Sequence, residues 1–237
     1  MCRNNVFVLE IPMDSLKDES KKVFERMMGI TKGNSYSIYQ EEEFAEIKRN
    51  VENHIKIKAL VRKSNSFLCE KYNIWIEEKK IEHTIPFKNF PQLVQDVYVF
   101  LVSIELEKNT ESVMEQLLYH AWESAYLEVA REWIRHWILD REKCFVSVSL
   151  SPGFYGIPMD SIETFYSMLN GENIDVFLQK GALVPQQSVL GMYCVMKQEI
   201  SLFYKQCDTC LAKGKHCEFC MDTGVAIKDT KLKGETT

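Results

Sequence analysis

Ser149-Leu-Ser-Pro-Gly-Phe-Tyr-Gly-Ile-Pro158, followed about thirty residues later by Ser188-Val-Leu-Gly-Met-Tyr193, is the pair of stretches around which the chain is organised. Pro152-Gly153, then Gly156 and Pro158, permit a tight and irregular backbone, because glycine reaches positive φ and has no Cβ to hold a ligand away. Two readings stay open on local chemistry. Either the loop is a ligand cradle whose amide N–H groups face an anion or carboxylate, or it is a plain turn between a strand and a helix. In the cradle reading, Tyr155 and Gly156 join its ligand side.

Working outward, Cys144-Phe-Val-Ser-Val148 reads as the strand that delivers the chain into this loop, and Pro158, Asp160 and Glu163 open a helix after it. Asp160 and Glu163 have capping-box spacing, Asn170-Gly171 supplies the stop, and Ile162, Phe165, Tyr166 and Leu169 form the buried face. Asp175–Leu178 and Ser188–Val195 read as strands, and Ile200–Tyr204 pairs back on the latter. Upstream, Val97–Ile104 is a continuous apolar run, the mark of a strand buried on both faces. Asn109 or Thr110 caps a long helix predicted over 111–139, in which the aromatic residues Trp122, Tyr126, Trp133 and Trp137 are core. Glu123, Glu128 and Glu132 are spaced for surface pairing with Arg131 and Arg135 and are not read as catalytic.

Earlier in the chain, Tyr72–Ile76 and Lys80–Ile85 alternate as a β-hairpin around a polar turn at 77–80, and 89–95 reads as a short helical turn. His83 is structural. Phe44, Ile47, Val51 and Ile55 form one apolar stripe on a helix whose first turn carries Glu41-Glu-Glu43, and the part before it, 31–40, is a polar loop. Another helix runs from Leu16 to Met28 with Gly29 as its stop, after an extended run, Val6–Ile11.

Length, composition and charge bound the function. A chain of 237 residues buries a real core as one sizeable domain or two small ones. Hydrophobic residues at 46% and charged residues at 27% are those of a soluble globular protein. A net charge of −5 argues against a nucleic-acid partner, which needs a basic face. No run of eighteen apolar residues exists, and Met1-Cys-Arg-Asn-Asn lacks the features of a signal peptide, so the expectation is a cytoplasmic protein with no membrane partner.

The order Ser-Pro-Gly-aromatic at Ser151–Phe154, an amphipathic helix, a loop ending in Pro185 and Ser-Val-x-Gly-x-Tyr at Ser188–Tyr193 resembles the activation domain of cobalamin-dependent methionine synthase, which binds S-adenosylmethionine (AdoMet). The resemblance runs from about Glu41 to Tyr204. It implies an α+β fold, a twisted and mainly antiparallel sheet flanked by helices, over 41–205. An N-terminal extension, 1–40, packs on it, and a small cysteine-rich element, 206–221, and a tail, 222–237, follow. In that family the corrinoid cobalt is occasionally oxidised to an inactive state, and the domain presents AdoMet for remethylation. Methyl transfer from the sulfonium removes the reduced cobalt and draws an unfavourable reduction forward.

Carried over residue by residue, the resemblance places Ser151, Gly153 and Phe154 on the ligand side of the cradle. The family's arginine, four residues before the glycine matched by Gly153, is here Ser149. A serine cannot replace a bidentate guanidinium, which predicts weakened AdoMet binding unless Arg131, Arg135 or Arg141 compensates. The chain is too short to hold corrinoid, folate or homocysteine modules, so the resemblance implies that cobalamin sits on a separate partner. Two functions follow: an accessory protein that reactivates a cobalamin-dependent methyltransferase such as methionine synthase, or a non-enzymatic docking module for a corrinoid protein. If the chain is part of an enzyme, that enzyme is the methyltransferase system.

Eight cysteines divide into two groups. Cys2, Cys69, Cys144 and Cys194 are scattered, and the last three, beside apolar residues, read as small buried hydrophobes. Cys207-Asp-Thr-Cys210 and Cys217-Glu-Phe-Cys220 are two CxxC pairs with six residues between them, able to grip one metal through four thiolates. Zinc and an iron–sulfur cluster are both open, one as a structural staple, the other as a source of electrons.

Overall fold

The structure is a computed structural model that describes residues 6–30, 38–70, 72–83, 93–108, 110, 112–154 and 156–198. The chain divides into two units, Met1–Leu202 and Phe203–Thr237, and the described residues belong to the first. The strand Ile200–Tyr204 expected from the sequence lies outside them.

The apolar run becomes β6 (Val94–Glu105), the middle strand of a five-stranded sheet. On one side it pairs with β2 (Lys56–Lys63), which pairs with the edge strand β1 (Val6–Glu10). On the other it pairs with β10 (Ser188–Met196), which carries the two-residue β7 (Phe145–Val146). All these pairings are antiparallel, with Val61 opposite Phe100 and Gly191 opposite the same residue. Val94 and Gln95 belong to this strand rather than to the expected helical turn, because β10 and its bulge at Val195/Met196 extend the pairing to Val94.

Alternation along the strands divides the buried residues between two faces. Ile57, Ala59 and Val61 of β2, Tyr98, Phe100, Val102 and Ile104 of β6, and Tyr193 and Val195 of β10 point to one face, under three helices. These are α1 (Lys17–Met27), α2 (Ile38–His54) and α3 (Val113–Glu142). At thirty residues α3 is about 45 Å long and spans the sheet. Its aromatic residues are core, as the pattern predicts: Trp122 stacks on Phe24 of α1 at 3.9 Å between ring centroids, and Trp137 meets Phe7 edge-on at 5.2 Å. The stripe on α2 is buried at Ile47 and Val51, and this helix starts earlier than expected, at Ile38.

The other face presents Leu60, Leu101, Leu190, Met192 and Cys194 to a second set of small elements. A three-stranded sheet, β3 (Phe67–Cys69), β4 (Asn73–Ile76) and β5 (Lys79–Glu82), lies there with α4 (Ser161–Ser167) and the hairpin of β8 (Phe177–Gln179) and β9 (Ala182–Val184). Arg62 ties this layer to the main sheet, donating to the Met168 carbonyl at 2.8 Å and to the Glu77 carboxylate at 2.6 Å. The expected hairpin is therefore real, although its turn is the pair Glu77-Glu78, with Glu77 at φ 55, rather than a four-residue loop. His83 is buried and its N–H donates to the Tyr72 carbonyl.

Several helix ends differ from expectation for local reasons. α3 is capped by Ser112, whose hydroxyl accepts from Glu115 N–H at 3.4 Å, and Thr110 in turn accepts from Ser112 N–H. Ser112-x-x-Glu115 has the capping-box spacing, two or three residues later than the cap predicted at Asn109 or Thr110. Asp160 makes no capping hydrogen bond, since its own backbone is already in the helical region. Asp175 takes φ 60, so the strand after it starts only at Phe177.

Candidate functional site

After β7 the chain leaves the sheet by stages. Ser147 Oγ accepts from Cys194 N–H at 2.9 Å, and Leu150 exchanges two backbone bonds with Met192, at 2.9 and 2.8 Å. This holds Leu150 and Ser151 hard against β10. A Cβ built on Gly191 would lie 2.5 Å from the Leu150 carbonyl oxygen and against Ser151 Oγ, so the approach needs glycine. Ser151 is buried, its hydroxyl faces that glycine, and it finds no hydrogen-bond partner among the described residues.

The loop then closes on itself. Gly153, at φ 83, donates to the Ile157 carbonyl at 2.8 Å, Phe154 donates to Ser151 at 3.0 Å, and Ile157 donates to Phe154 at 3.0 Å. The expectation of amides facing an anion therefore fails at Gly153, Phe154 and Ile157, whose N–H groups serve the turn. Gly156 has φ 77, and Tyr155 lies outside the described residues. Phe154, Met159 and Val148, in the loop and just before it, leave about half or more of their surface exposed.

Charge arrives from α3. Arg131 directs Nη1 to Ser149 Oγ at 3.4 Å, while its Nη2 pairs with Glu128 one turn away. The Arg131 carbonyl accepts from the Tyr193 hydroxyl at 2.8 Å, which fixes this turn of α3 over β10. Burial pushes the Tyr193 phenol well above its ordinary range, so it remains a donor. Arg135 pairs with Glu132 at 2.8 Å and donates to the Val146 carbonyl at 3.3 Å. Arg141 lies over the Phe7 ring, 4.4 Å from its centroid, at the β1 edge. Of the three guanidinium groups that the sequence offers in place of the family arginine, Arg131 is the one hydrogen-bonded to Ser149.

No family model matches the chain, and no curated protein matches it. Among solved structures, one described as the MetH reactivation domain bound to AdoHcy matches with a TM-score of 0.58 at 13% sequence identity, covering 84% of this chain and 81% of that chain. The chain has the reactivation-domain fold. At that identity the likeness is one of fold, and it agrees with the α+β architecture and the antiparallel sheet expected from the sequence.

Within this reactivation-domain fold the described residues contain no cluster of three metal-ligating side chains. Cys207, Cys210, Cys217 and Cys220 lie outside them. Cys69 and Cys194 are buried as expected, and burial pushes the Cys69 thiol up to about 12. Cys144 is only half-buried, with its thiol against Gln95 Oε1 at 3.4 Å, because β7 is so short. No described helix is long and apolar enough to cross a membrane.

One polar group was missed by sequence reasoning. Glu123, expected on the helix surface, is buried beside Lys108 Nζ at 2.5 Å, with His120 at 3.7 Å, and His120 contacts Gln187 just before β10. The signal was present in Ala121-Trp122 and Ala125-Tyr126, the apolar pairs that flank Glu123.

Proposed function

We propose that the chain is an accessory protein for the reductive reactivation, by remethylation with AdoMet, of a separate cobalamin-dependent methyltransferase such as methionine synthase. The observation that carries this reading is the Arg131 guanidinium at Ser149, beside the cradle, in a fold shared with a domain crystallised with AdoHcy. A carboxylate of an aminocarboxylate ligand takes the Arg131 Nη1 edge in a charge-assisted bond, with Ser149 beside it. Ser151, two residues on, holds a buried hydroxyl that has no partner among the described residues, and Phe154, about half exposed, is an aromatic group that a cationic sulfonium can meet. AdoMet, when bound, supplies an electrophilic methyl group. The protein's part is to fix the ligand's carboxylate, keep water from its apolar side and present it to a corrinoid carried by the partner. In this reading the four C-terminal cysteines hold one zinc ion or an iron–sulfur cluster.

A second reading, a docking module for a corrinoid protein that no longer binds AdoMet, is favoured by the Glu128 carboxylate on Arg131 and by the loop amides spent within the turn. Calorimetry with AdoMet separates the two. The first reading expects binding by the native chain and a loss of about tenfold or more in Arg131→Ala, the worth of one charge-assisted bond. Absence of binding by the native chain, with binding by Ser149→Arg, establishes the second.

A further inference from the structure

Away from the cradle, α1 and α2 each pack on α3 more extensively than on each other. They leave a cleft of about 440 Å³, within the range of ordinary small-molecule sites. Phe24, Ile30, Phe44 and Trp122 supply an apolar interior, and Lys21, Lys48 and Glu25 stand with them. In a chain whose net charge is −5, two ammonium groups are gathered at one cleft, each with one glutamate near it. Among the described residues each lysine has a loose partner on its own helix, Glu25 at 3.7 Å for Lys21 and Glu52 at 3.4 Å for Lys48. Trp122 adds one more group. Its indole Nε1 is buried and meets no acceptor among the described residues, although buried donors are nearly always paired.

We propose that this cleft is a binding site for a small amphipathic organic anion, an aromatic or acyl body lying on the Phe24–Trp122 stack beside Phe44 with its acidic head between Lys21 and Lys48. Phe24 and Trp122 stack face to face and are themselves nearly buried, so they form a rigid floor to the cleft, along which a planar or extended apolar body can lie. The lysine stems flank it and keep their ammonium groups in water, where they meet a carboxylate, sulfonate or phosphate. The site is independent of the cradle and of the function proposed for it.

The test uses the full chain and 8-anilinonaphthalene-1-sulfonate, with neutral N-phenyl-1-naphthylamine as its uncharged counterpart, followed by fluorescence. One saturable site is expected for the anion, with the neutral compound about tenfold weaker. Ala45→Trp, at an exposed α2 position lining the cleft, fills it and is expected to weaken the anion tenfold or more while circular dichroism is unchanged. Lys21→Glu with Lys48→Glu is expected to weaken the anion by at least tenfold and to leave the neutral compound within about twofold. Lack of saturation up to about 1 mM, equal affinity for the two compounds, or unchanged binding by folded Ala45→Trp overturns the proposal.

Discussion

Replacing Gly191 by alanine tests the placement of the cradle on the last strand. The new methyl group meets the Leu150 carbonyl oxygen at 2.5 Å and its carbon at 3.1 Å, besides Ser151 Oγ. Leu150 cannot turn aside without breaking both backbone bonds to Met192. Overpacking of this kind costs about 1–3 kcal/mol, and a backbone obstacle puts this site near the top of that range. Alanine restricts the unfolded chain more than glycine does and returns about 0.5–1 kcal/mol. The net expectation is a loss of about 2 kcal/mol, or a fall in Tm of about 4–8 °C for a domain of this size. Thermal and urea unfolding followed by circular dichroism measure it. Adding Ser151→Gly removes only the hydroxyl collision, so the double variant is expected to recover part of the loss and not all of it. A Gly191→Ala protein as stable as the native chain would refute the close approach of Leu150 and Ser151 to β10.

Glu142 supplies a pH test. Burial raises its carboxyl, but hydrogen bonds from Tyr98 and Lys63, with the Lys63 charge, outweigh this and hold it below its ordinary range. A carboxyl lowered by folding contributes stability above its unfolded pKa and loses it as pH falls through the folded one. Glu142→Gln is therefore expected to cost about 1–2 kcal/mol at neutral pH and nothing in strong acid. Parallel Tm curves for the two proteins down to about pH 3 would contradict the assignment. For the thiols, alkylation mapped by mass spectrometry is expected to modify Cys144 in the native protein and to reach Cys69 and Cys194 only on unfolding, since both are buried and burial suppresses their thiolates. Native labelling of Cys194 at the rate of Cys144 would show that β10 is not covered.

Features written in runs and periods were legible in the sequence. Val97–Ile104 could satisfy so many apolar neighbours only as a strand covered on both faces, and Ile47 and Val51 marked the buried side of α2. Pairings between distant segments were not legible. That β1 would seal the edge beside β2, or that β3 would add a third strand to the hairpin, depends on register across the fold. Short-range polar competition hid other details: Ser112 caps the helix while Thr110 accepts from Ser112 N–H and donates to the Glu115 carboxylate, and Asp160 gives up capping by taking a helical backbone. At the cradle, the glycines announced a turn, but the use of its amides depended on which carbonyls the turn brought near. Arg131 was one of three candidates in the sequence, and the orientation of α3 over β10 brought it to Ser149.

The middle position of β6 also sets the order of events during synthesis. Its first neighbour, β2, precedes it on the chain, but its second, β10, begins only at Ser188, after α3 and the cradle have been made. At about 5–20 residues per second the ribosome needs roughly 4–17 s to travel from Glu105 to Ser188. Once Glu142 has been made α3 can cover one face of the nascent sheet, while the far edge of β6 stays open for the whole interval as a template for any passing strand. Vectorial folding of this chain therefore has a built-in waiting period, during which a chaperone or slower translation would bear directly on yield.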